Sequence, residues 1–305
     1  MQFQQLIRTL DTFWERRGCL IVQPYDLAMG AGTFHPMTFF GALGPTALRA
    51  AYVQPSRRPT DGRYGENPLR MQRYYQYQVI LKPTPDDVQR LYLESLRACG
   101  LTLENHDLRF VQDDWESPTL GAWGLGWEVW MDSLEVTQFT YFQQVGGVDL
   151  EPITCEITYG LERITMFAQG ATDVYRIAYG PGTSYGDLHL TAEREGSDYN
   201  FHHADVEFHQ QLFARYEQDA KRLLDAKLLM PAYEQLLQCS HTFNLLDARG
   251  AISQSDRPRL VLRIRALARR CAELYLERQE EQSTGPGERG PGNGETAKDG
   301  KKRTT

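Results

Sequence analysis

Polar side chains follow one another along one face of a predicted strand at residues 73–82. Because successive side chains of a strand point to opposite faces, Tyr74, Gln76 and Gln78 share a face in what should be a core sheet. Buried amides need hydrogen-bond partners, which neighbouring side chains, buried water or a bound ligand can supply. Two amides in this position favour a strand that lines a ligand site.

A second predicted strand, at residues 152–159, shows the same kind of pattern. Glu156 and Thr158 alternate with apolar residues, and an apolar helix is predicted to follow. Burying a carboxylate is costly unless a cation pairs with it, and the ammonium group of a substrate is one such cation. Glu156 is therefore a candidate for binding an amine.

Four arginines occur within fifteen residues in the loop 56–70, between the predicted strands 47–54 and 73–82. Guanidinium groups offer forked sets of donors, so this density suits phosphate binding, although a solvated basic loop would have the same composition. The chain has neither a G-x-x-x-x-G-K-[ST] motif nor a G-x-G-x-x-G motif. A nucleotide, if one is used, must be held in another way.

The overall composition is that of a soluble globular protein. The chain has 305 residues, 41% hydrophobic and 24% charged, and no apolar run approaches the roughly 20 residues that span a bilayer. No secretory pattern opens the sequence, so we expect a cytoplasmic protein without a membrane role. Five scattered cysteines favour neither disulfides nor structural zinc. A net charge of −7 means that contact with a nucleic acid needs a local basic patch or a partner.

The elements that must position these residues form an antiparallel sheet with flanking helices. Apolar spacings of three and four predict a helix at 3–17, and Thr84 and Gly100 bracket another. Gly146-Gly147 favours a tight hairpin into the strand at 152–159. The predicted strands, which follow one another through loops and turns, lie at 19–22, 47–54, 73–82, 107–113, 127–145 and 152–159.

The pattern changes to helices beyond about residue 200. Apolar stripes run from Val206 to Leu224 and from Leu260 to Tyr275, whereas the last residues of the chain are almost free of apolar side chains. We therefore expect three parts: a core at 1–200, a helical appendage at 201–282 and a disordered tail at 283–305.

Two short motifs resemble those of class II aminoacyl-tRNA synthetases. An arginine at a strand end, a long loop and a strand with the pattern Arg-x-x-x-aromatic-x-Gln are similar to their second signature motif, with Arg70, Tyr74 and Gln76 in the last pattern. The segment 159–163 looks like their third motif, and the opening helix and strand occupy the place of the first. The resemblance implies an α+β fold of the class II type, an antiparallel sheet flanked by helices and followed by a C-terminal helical region.

Longer runs are similar to glycyl-tRNA synthetase α subunits in particular. They are QDDWESPTLGAW at 112–123 and TYFQQVGG at 140–147. The resemblance extends over about residues 1–280 and leaves the tail aside. Because single class II motifs are short and degenerate, the long runs carry most of the weight.

The resemblance implies a reaction and a set of partners. Glycine attacks the α-phosphorus of ATP to give glycyl-adenylate and pyrophosphate, with Mg²⁺ present, and the glycyl group then passes to tRNA(Gly). The family's α chains pair with each other and work with β subunits, which implies an α2β2 assembly. The resemblance leaves the metal ligands unknown.

Residues for the nucleotide follow from their positions in the family's motifs. The resemblance assigns Arg57 to the α-phosphate, Arg163 to the γ-phosphate and one face of adenine, and Tyr74 to the other face. Glu66 and Arg70 would help to position the nucleotide. The family begins its second motif with Arg-x-acid, whereas this chain has Arg-Arg-Pro at 57–59, so either arginine could take the main role.

Residues for glycine come from the two polar strands. In the resemblance, Glu156 would pair with the glycine ammonium, and Gln76, Gln78 and Thr158 would complete a small polar pocket. Trp115 would be its wall, although ordinary packing would explain this residue equally well.

Two other functions fit the same residues. A related ligase could activate a small amino acid for a carrier other than tRNA, and transfer of labelled glycine to tRNA would separate the two. A regulatory protein could keep the fold for ligand sensing, but such a protein is expected to have lost its phosphate contacts. Arg57, Arg70 and Arg163 are all present.

Overall fold

A computed structural model describes residues 1–284 of the protein, and these residues form a large sheet, helices packed on both of its faces and a C-terminal helical region. The strands are Leu20–Ile21 (β1), Leu48–Arg57 (β2), Arg73–Lys82 (β3), Leu108–Gln112 (β4), Trp115–Ser117 (β5), Ala122–Met131 (β6), Leu134–Val145 (β7), Val148–Gly160 (β8), Ala178–Gly180 (β9) and Thr183–Ser184 (β10). The α-helices are Phe3–Glu15 (α1), Pro36–Phe39 (α2), Val88–Ala98 (α3), Leu161–Gln169 (α4), Tyr185–Asp198 (α5), Val206–Asp225 (α6), Leu229–Ala248 (α7) and Asp256–Thr284 (α8).

The main sheet has the strand order β1-β2-β3-β8-β7-β6-β4, and β5 pairs with β6 beside β4. Strand β1 is parallel to β2, and the other pairs are antiparallel. The predicted tight turn between β7 and β8 is confirmed, with Gly146 and Gly147 both at positive φ, which glycine adopts without steric cost. The predicted fold class, an antiparallel sheet with flanking helices and a helical region after it, is also confirmed.

Two details of the predicted elements were wrong. The segment 127–145 contains two strands, β6 and β7, because the chain reverses at Asp132 and Ser133, which both adopt positive φ without being glycine. Thr84 does not cap α3, because its hydroxyl donates a hydrogen bond to the carbonyl of Ile153 at 3.0 Å. The helix begins later, at Val88.

The two faces of the sheet have different partners. One face packs on α1, α3 and α4, and an apolar cluster that includes Trp14, Tyr77, Tyr92 and Tyr159 fills the interface. The other face carries the polar rows of β3 and β8 and is partly covered by the passage between β1 and β2. Residues such as Phe34 belong to a second apolar cluster, which they share with α6, α7 and α8.

The C-terminal helices share their core with the passage before β2. Phe39 and Phe40 each lie 4.8 Å, between ring centroids, from Tyr233 of α7. The tail predicted at 283–305 lies outside the described residues from 285 onward, and residues 283 and 284 end α8 rather than belonging to a disordered tail. Among residues 1–284, no helix has the length and apolar character needed to cross a membrane.

Candidate functional site

A cavity of about 330 Å³ opens on the polar face of the sheet, over β3, β8 and β7. It contains most of the residues that the sequence singled out, although they come from positions up to 93 residues apart in the chain. Those that line it are Arg70, Tyr74, Gln76, Gln78, Trp115, Glu156, Thr158 and Arg163.

Arg57 and Glu66 are not part of the cavity wall, whereas Arg58 is. Arg58 directly follows Arg57, the last residue of β2, and adjacent residues of an extended chain point to opposite sides. Arg57 faces Arg73 in the β2–β3 ladder. Burial and the charge of Arg73 both lower the pKa of Arg57. Glu66 is exposed in the loop between the strands.

The Arg58 guanidinium lies over the ring of Tyr74, with its central carbon 5.3 Å from the ring centroid. Its Nε donates a hydrogen bond to the carbonyl of Gly30 at 3.0 Å. Arg58 therefore covers the aromatic face that the sequence assigned to adenine, and it remains largely exposed. Its charge is available to an anion in the cavity.

The two strand amides have partners inside the protein. Gln76 Oε1 accepts hydrogen bonds from Gly32 N at 2.8 Å and from Ser56 Oγ at 2.9 Å. Gln78 Oε1 accepts one from Thr158 Oγ1 at 2.8 Å. The two interpretations of these amides, bonding to neighbouring side chains and lining a ligand site, are therefore compatible. Neighbouring groups fix the orientation of the amides, and the amides still line the cavity.

Glu156 is buried, with 2% of its surface exposed. Both carboxylate oxygens lie 2.9 Å from Thr33 Oγ1. Burial raises the pKa of Glu156 to about 7, and the hydrogen bond from Thr33 opposes the rise. Within residues 1–284, no arginine, lysine or histidine forms an ion pair with this carboxylate. A ligand with an ammonium group would supply the missing charge.

Two polar residues near Glu156 were missed in the sequence. Thr33 lies in a single 3₁₀ turn 123 residues before Glu156, where no periodic pattern could reveal it. Thr140 faces Glu156 in the β7–β8 ladder, and its buried hydroxyl oxygen has no hydrogen-bond partner in the described structure. Its alternation with Gln138 along a predicted strand was a usable signal.

Arg163 is held at the other side of the cavity by Glu135. Its Nη1 donates to the carbonyl oxygen of Glu135 at 2.8 Å and to its carboxylate at 3.1 Å. Asp113 and Glu128 line the same wall. The pKa of Glu128 is raised, chiefly by burial and further by the charges of Glu135 and Asp113.

Glu162 is a further buried carboxylate at the cavity that the sequence did not single out. It accepts hydrogen bonds from Tyr75 N at 2.8 Å and from Tyr185 Oη at 2.7 Å, and burial raises its pKa to about 7. These bonds connect the start of α4 to β3 and α5. These hydrogen bonds give the buried Glu162 a structural role, which is to hold α4 against its neighbours. Arg163, the next residue of α4, is positioned by the same contacts.

Trp115 lies on β5, opposite Gly124 of β6. Its ring meets that of Phe142 edge to face, with centroids 5.7 Å apart, and it is half-buried. It contributes an aromatic surface to the cavity and also packs on the second apolar cluster. Both uses considered for this residue are therefore compatible with its position.

The charges in the cavity are arranged along the sheet. Arg58, Arg70 and Arg163 all lie at the edge where β2 ends, β3 begins and β8 ends. Glu156 lies four residues before the end of β8, which corresponds to roughly 13 Å along the strand. The cavity can thus bind an anionic group at the sheet edge and a cationic group near Glu156.

Comparisons with known proteins gave one family match and several similar solved structures. A family model described as "Glycyl-tRNA synthetase alpha subunit" matches residues 3–280. Among solved structures, PylSc of Desulfitobacterium hafniense, a pyrrolysyl tRNA synthetase, is 13% identical with a TM-score of 0.44, covering 60% of this chain and 72% of its own. Another structure of pyrrolysyl-tRNA synthetase from Desulfitobacterium hafniense is 14% identical with a TM-score of 0.42, covering 60% and 75%.

Proposed function

The chain belongs to the glycyl-tRNA synthetase alpha subunit family, and from this premise we propose that it uses ATP to convert glycine to glycyl-adenylate and, together with a β subunit, transfers the glycyl group to tRNA(Gly). As a member of this family it is a ligase of the aminoacyl-tRNA synthetase type. The observation that carries the proposal is the buried, unpaired carboxylate of Glu156 in one cavity with three arginines.

The proposed reaction needs no protein nucleophile. A carboxylate oxygen of glycine attacks the α-phosphorus of ATP, the bond to the β-phosphate oxygen breaks, and pyrophosphate leaves. A hydroxyl of the terminal adenosine of tRNA then attacks the glycyl carbonyl carbon, AMP leaves with the bonding electrons, and the hydroxyl proton is released to the solvent. Alignment of the reactants and stabilisation of charge on the phosphate supply the catalysis.

Arg58 is the arginine proposed for the α-phosphate, because it lines the cavity and Arg57 does not. Tyr74 and Arg163 would hold the two faces of adenine, with Arg163 and Arg70 near the phosphates. Arg58 must then leave the ring of Tyr74 as adenine arrives and move towards the phosphate. A contact between the nucleotide and Glu66 would require the loop between β2 and β3 to close over the cavity, whereas Arg57 is held in the β2–β3 ladder opposite Arg73.

Glycine would bind with its ammonium at Glu156. Thr33 orients the carboxylate, Thr158 orients the side chain of Gln78, and Gln76 and Gln78 provide the polar floor. Trp115 is proposed as the wall that excludes larger side chains. A site of this kind selects by size, because glycine offers no side chain to contact and a single methylene contributes only about 1–3 kcal/mol of discrimination.

Mg²⁺ accompanies ATP in the proposed reaction, and the wall near Arg163 fits it. No group of three acidic, histidine or cysteine side chains within residues 1–284 forms a metal cage. Mg²⁺ is usually held by one or two carboxylates together with substrate phosphates, and Glu128 and Glu135 are the carboxylates that would hold it. When bound, the ion supplies positive charge to the phosphate groups.

The proposed partners are a β subunit, a second α chain in an α2β2 assembly and tRNA(Gly), and the proposed location is the cytoplasm.

Most arginines of α8 do not form a free basic surface for RNA. Arg263 lies 2.6 Å from Glu217, Arg270 lies 2.7 Å from Asp225, and Arg257 pairs with Asp247. Intrachain ion pairs of this kind support a division of labour in which the β subunit makes most tRNA contacts.

Transfer of labelled glycine to tRNA(Gly) tests this function. The chain is assayed alone and with the β subunit, and we expect efficient charging only when both are present. Full charging by the isolated chain would refute the need for a β subunit. Formation of glycyl-adenylate with no transfer to tRNA in the complete assembly would favour the second candidate, a ligase that uses another carrier.

A further inference from the structure

Residues Gly32–Phe34 form one 3₁₀ turn, here called the cap segment, that contacts both the cavity and the C-terminal helices. On the cavity side, the amide of Gly32 donates to Gln76 and the hydroxyl of Thr33 donates to Glu156. On the other side, Phe34 is buried in the apolar cluster shared with α6, α7 and α8. The cap segment thus connects the proposed glycine pocket to the helical region.

Tyr233 of α7 makes a direct contact with the cap segment. Its hydroxyl donates a hydrogen bond to the carbonyl oxygen of Phe34 at 2.7 Å, and the side chain is fully buried. Phe39, the last residue of α2, and Phe40, which follows it, pack their rings against the ring of Tyr233. Because these rings fix the tyrosine, its hydroxyl sets the position of the Phe34 carbonyl.

The next residue of α7 makes a second connection. Glu234 accepts a hydrogen bond from the hydroxyl of Tyr25 at 2.8 Å. The backbone of Tyr25 exchanges two hydrogen bonds with the side chain of Gln54 on β2, at 2.8 and 3.1 Å. Two consecutive residues of one helix therefore hold the chain before the cap segment and the cap segment itself.

The geometry points to Tyr233 and Glu234 as positioning residues for the amino-acid substrate. They hold the cap segment so that Thr33 orients the carboxylate of Glu156 and limits the size of the pocket beside it. The C-terminal helices would then take part in glycine recognition as well as in packing. This inference rests on the proposed function, because the substrate that it concerns is glycine.

The variant Tyr233→Phe removes one hydroxyl and keeps the ring. It leaves the buried carbonyl of Phe34 without a partner, which a small displacement of the cap segment would relieve. We expect the KM for glycine to rise roughly tenfold, which corresponds to the loss of one buried hydrogen bond. The KM for ATP should change by less than about twofold, because ATP contacts lie at the other end of the cavity.

The pH dependence of kcat/KM for glycine distinguishes a positioning role from a general loss of stability, because a general loss of stability would not shift its acidic limb. The hydrogen bond from Thr33 holds down the pKa of Glu156, so a displaced Thr33 lets that pKa rise. The acidic limb of kcat/KM for glycine should therefore move to higher pH in Tyr233→Phe. It should move in the same direction in Thr33→Val and stay in place in Thr33→Ser, which keeps the hydroxyl.

Tyr275→Phe is the matched control. Tyr275 packs against Phe40 at 5.0 Å between ring centroids, and its hydroxyl accepts a hydrogen bond from Gln279 rather than contacting the cap segment. We expect near wild-type KM values and an unmoved pH limb for this variant. Tyr25→Phe, at a partly exposed position, removes the second connection and should raise the KM for glycine by a smaller factor.

The experiment measures glycine-dependent ATP–pyrophosphate exchange by the chain in complex with its β subunit, after melting curves have established that each variant is folded. A selective rise in the KM for glycine together with the shifted pH limb supports the inference. If the KM for glycine in Tyr233→Phe and Tyr25→Phe is the same as in the control Tyr275→Phe, the inference is overturned and the proposed function is unaffected. A wild-type enzyme without glycine-dependent exchange would overturn the proposed function and this inference together.

Discussion

Replacing Glu156 by glutamine tests two effects of this carboxylate, the stability that its ionised form removes from the folded protein and its contribution to glycine activation. The folded protein keeps the Glu156 proton up to about pH 7, whereas an unfolded chain releases it near pH 4.3. Between these values the folded state binds more protons than the unfolded state. The free energy of unfolding therefore falls as the pH rises through this window, and the loss is complete above it.

The size of the effect follows from the two pKa values. Their difference corresponds to about 4 kcal/mol of lost stability above pH 7, and the loss vanishes below about pH 4. Glu156→Gln has no proton to lose, and its amide oxygen can still accept a hydrogen bond from Thr33. We expect this variant to be more stable than the wild type at pH 8, by up to about 4 kcal/mol, and nearly equal to it at pH 4.

The same change should remove glycine activation. A neutral amide cannot balance the ammonium of glycine, and breaking a buried charge pair costs about 3–5 kcal/mol. This corresponds to a loss of between about 10² and 10⁴ in kcat/KM for glycine. ATP binding should be retained, because the arginines at the sheet edge are unchanged.

Urea unfolding at pH 4, 6 and 8, together with glycine-dependent ATP–pyrophosphate exchange, measures both effects. Glu195→Gln is the control, because Glu195 is exposed on α5. It should change neither stability nor activity appreciably. A Glu156→Gln variant that is less stable than wild type at pH 8, or that activates glycine at the wild-type rate, would refute this account of Glu156.

Three further outcomes are expected. Arg58→Ala should reduce kcat for glycine activation by at least about 100-fold, which is the scale for losing one donor at the reacting group. Arg57→Ala should reduce kcat less, and the reverse order would return the α-phosphate role to Arg57. Trp115→Ala should raise activity with alanine or serine relative to glycine, and an unchanged ratio in a folded, active variant would assign the wall to another residue. The kcat/KM for glycine should fall below about pH 7 as Glu156 becomes protonated, and a flat profile from pH 6 to 8 would contradict an ionised Glu156 in the site.

Much of the sheet could be predicted from sequence because alternation is a local signal. The polar rows of β3 and β8 are each visible within one strand, and the ladder brings them together by direct pairing, Gln78 with Thr158 and Gln76 with Gly160. The turn at 146–147 was equally local. The turn between β6 and β7 was hidden, because Asp132 and Ser133 are unusual residues at positive φ.

The rest of the site depends on contacts that no local pattern contains. Thr33 reaches Glu156 from the 3₁₀ turn of the cap segment, and the register of β2 against β3 decides whether Arg57 or Arg58 faces the cavity. A fifteen-residue loop between those strands leaves that register open in the sequence. The connection from Tyr233 to Phe34 spans 199 residues and joins α7 to the cap segment.

The central claim is that this cavity activates glycine with ATP. The most direct measurement is ATP–pyrophosphate exchange with each of the twenty amino acids in turn, by the chain together with its β subunit. We predict exchange that depends on glycine, weak exchange at most with alanine or serine, and none with larger amino acids. Exchange that is independent of glycine, or that is faster with a larger amino acid, would contradict the account.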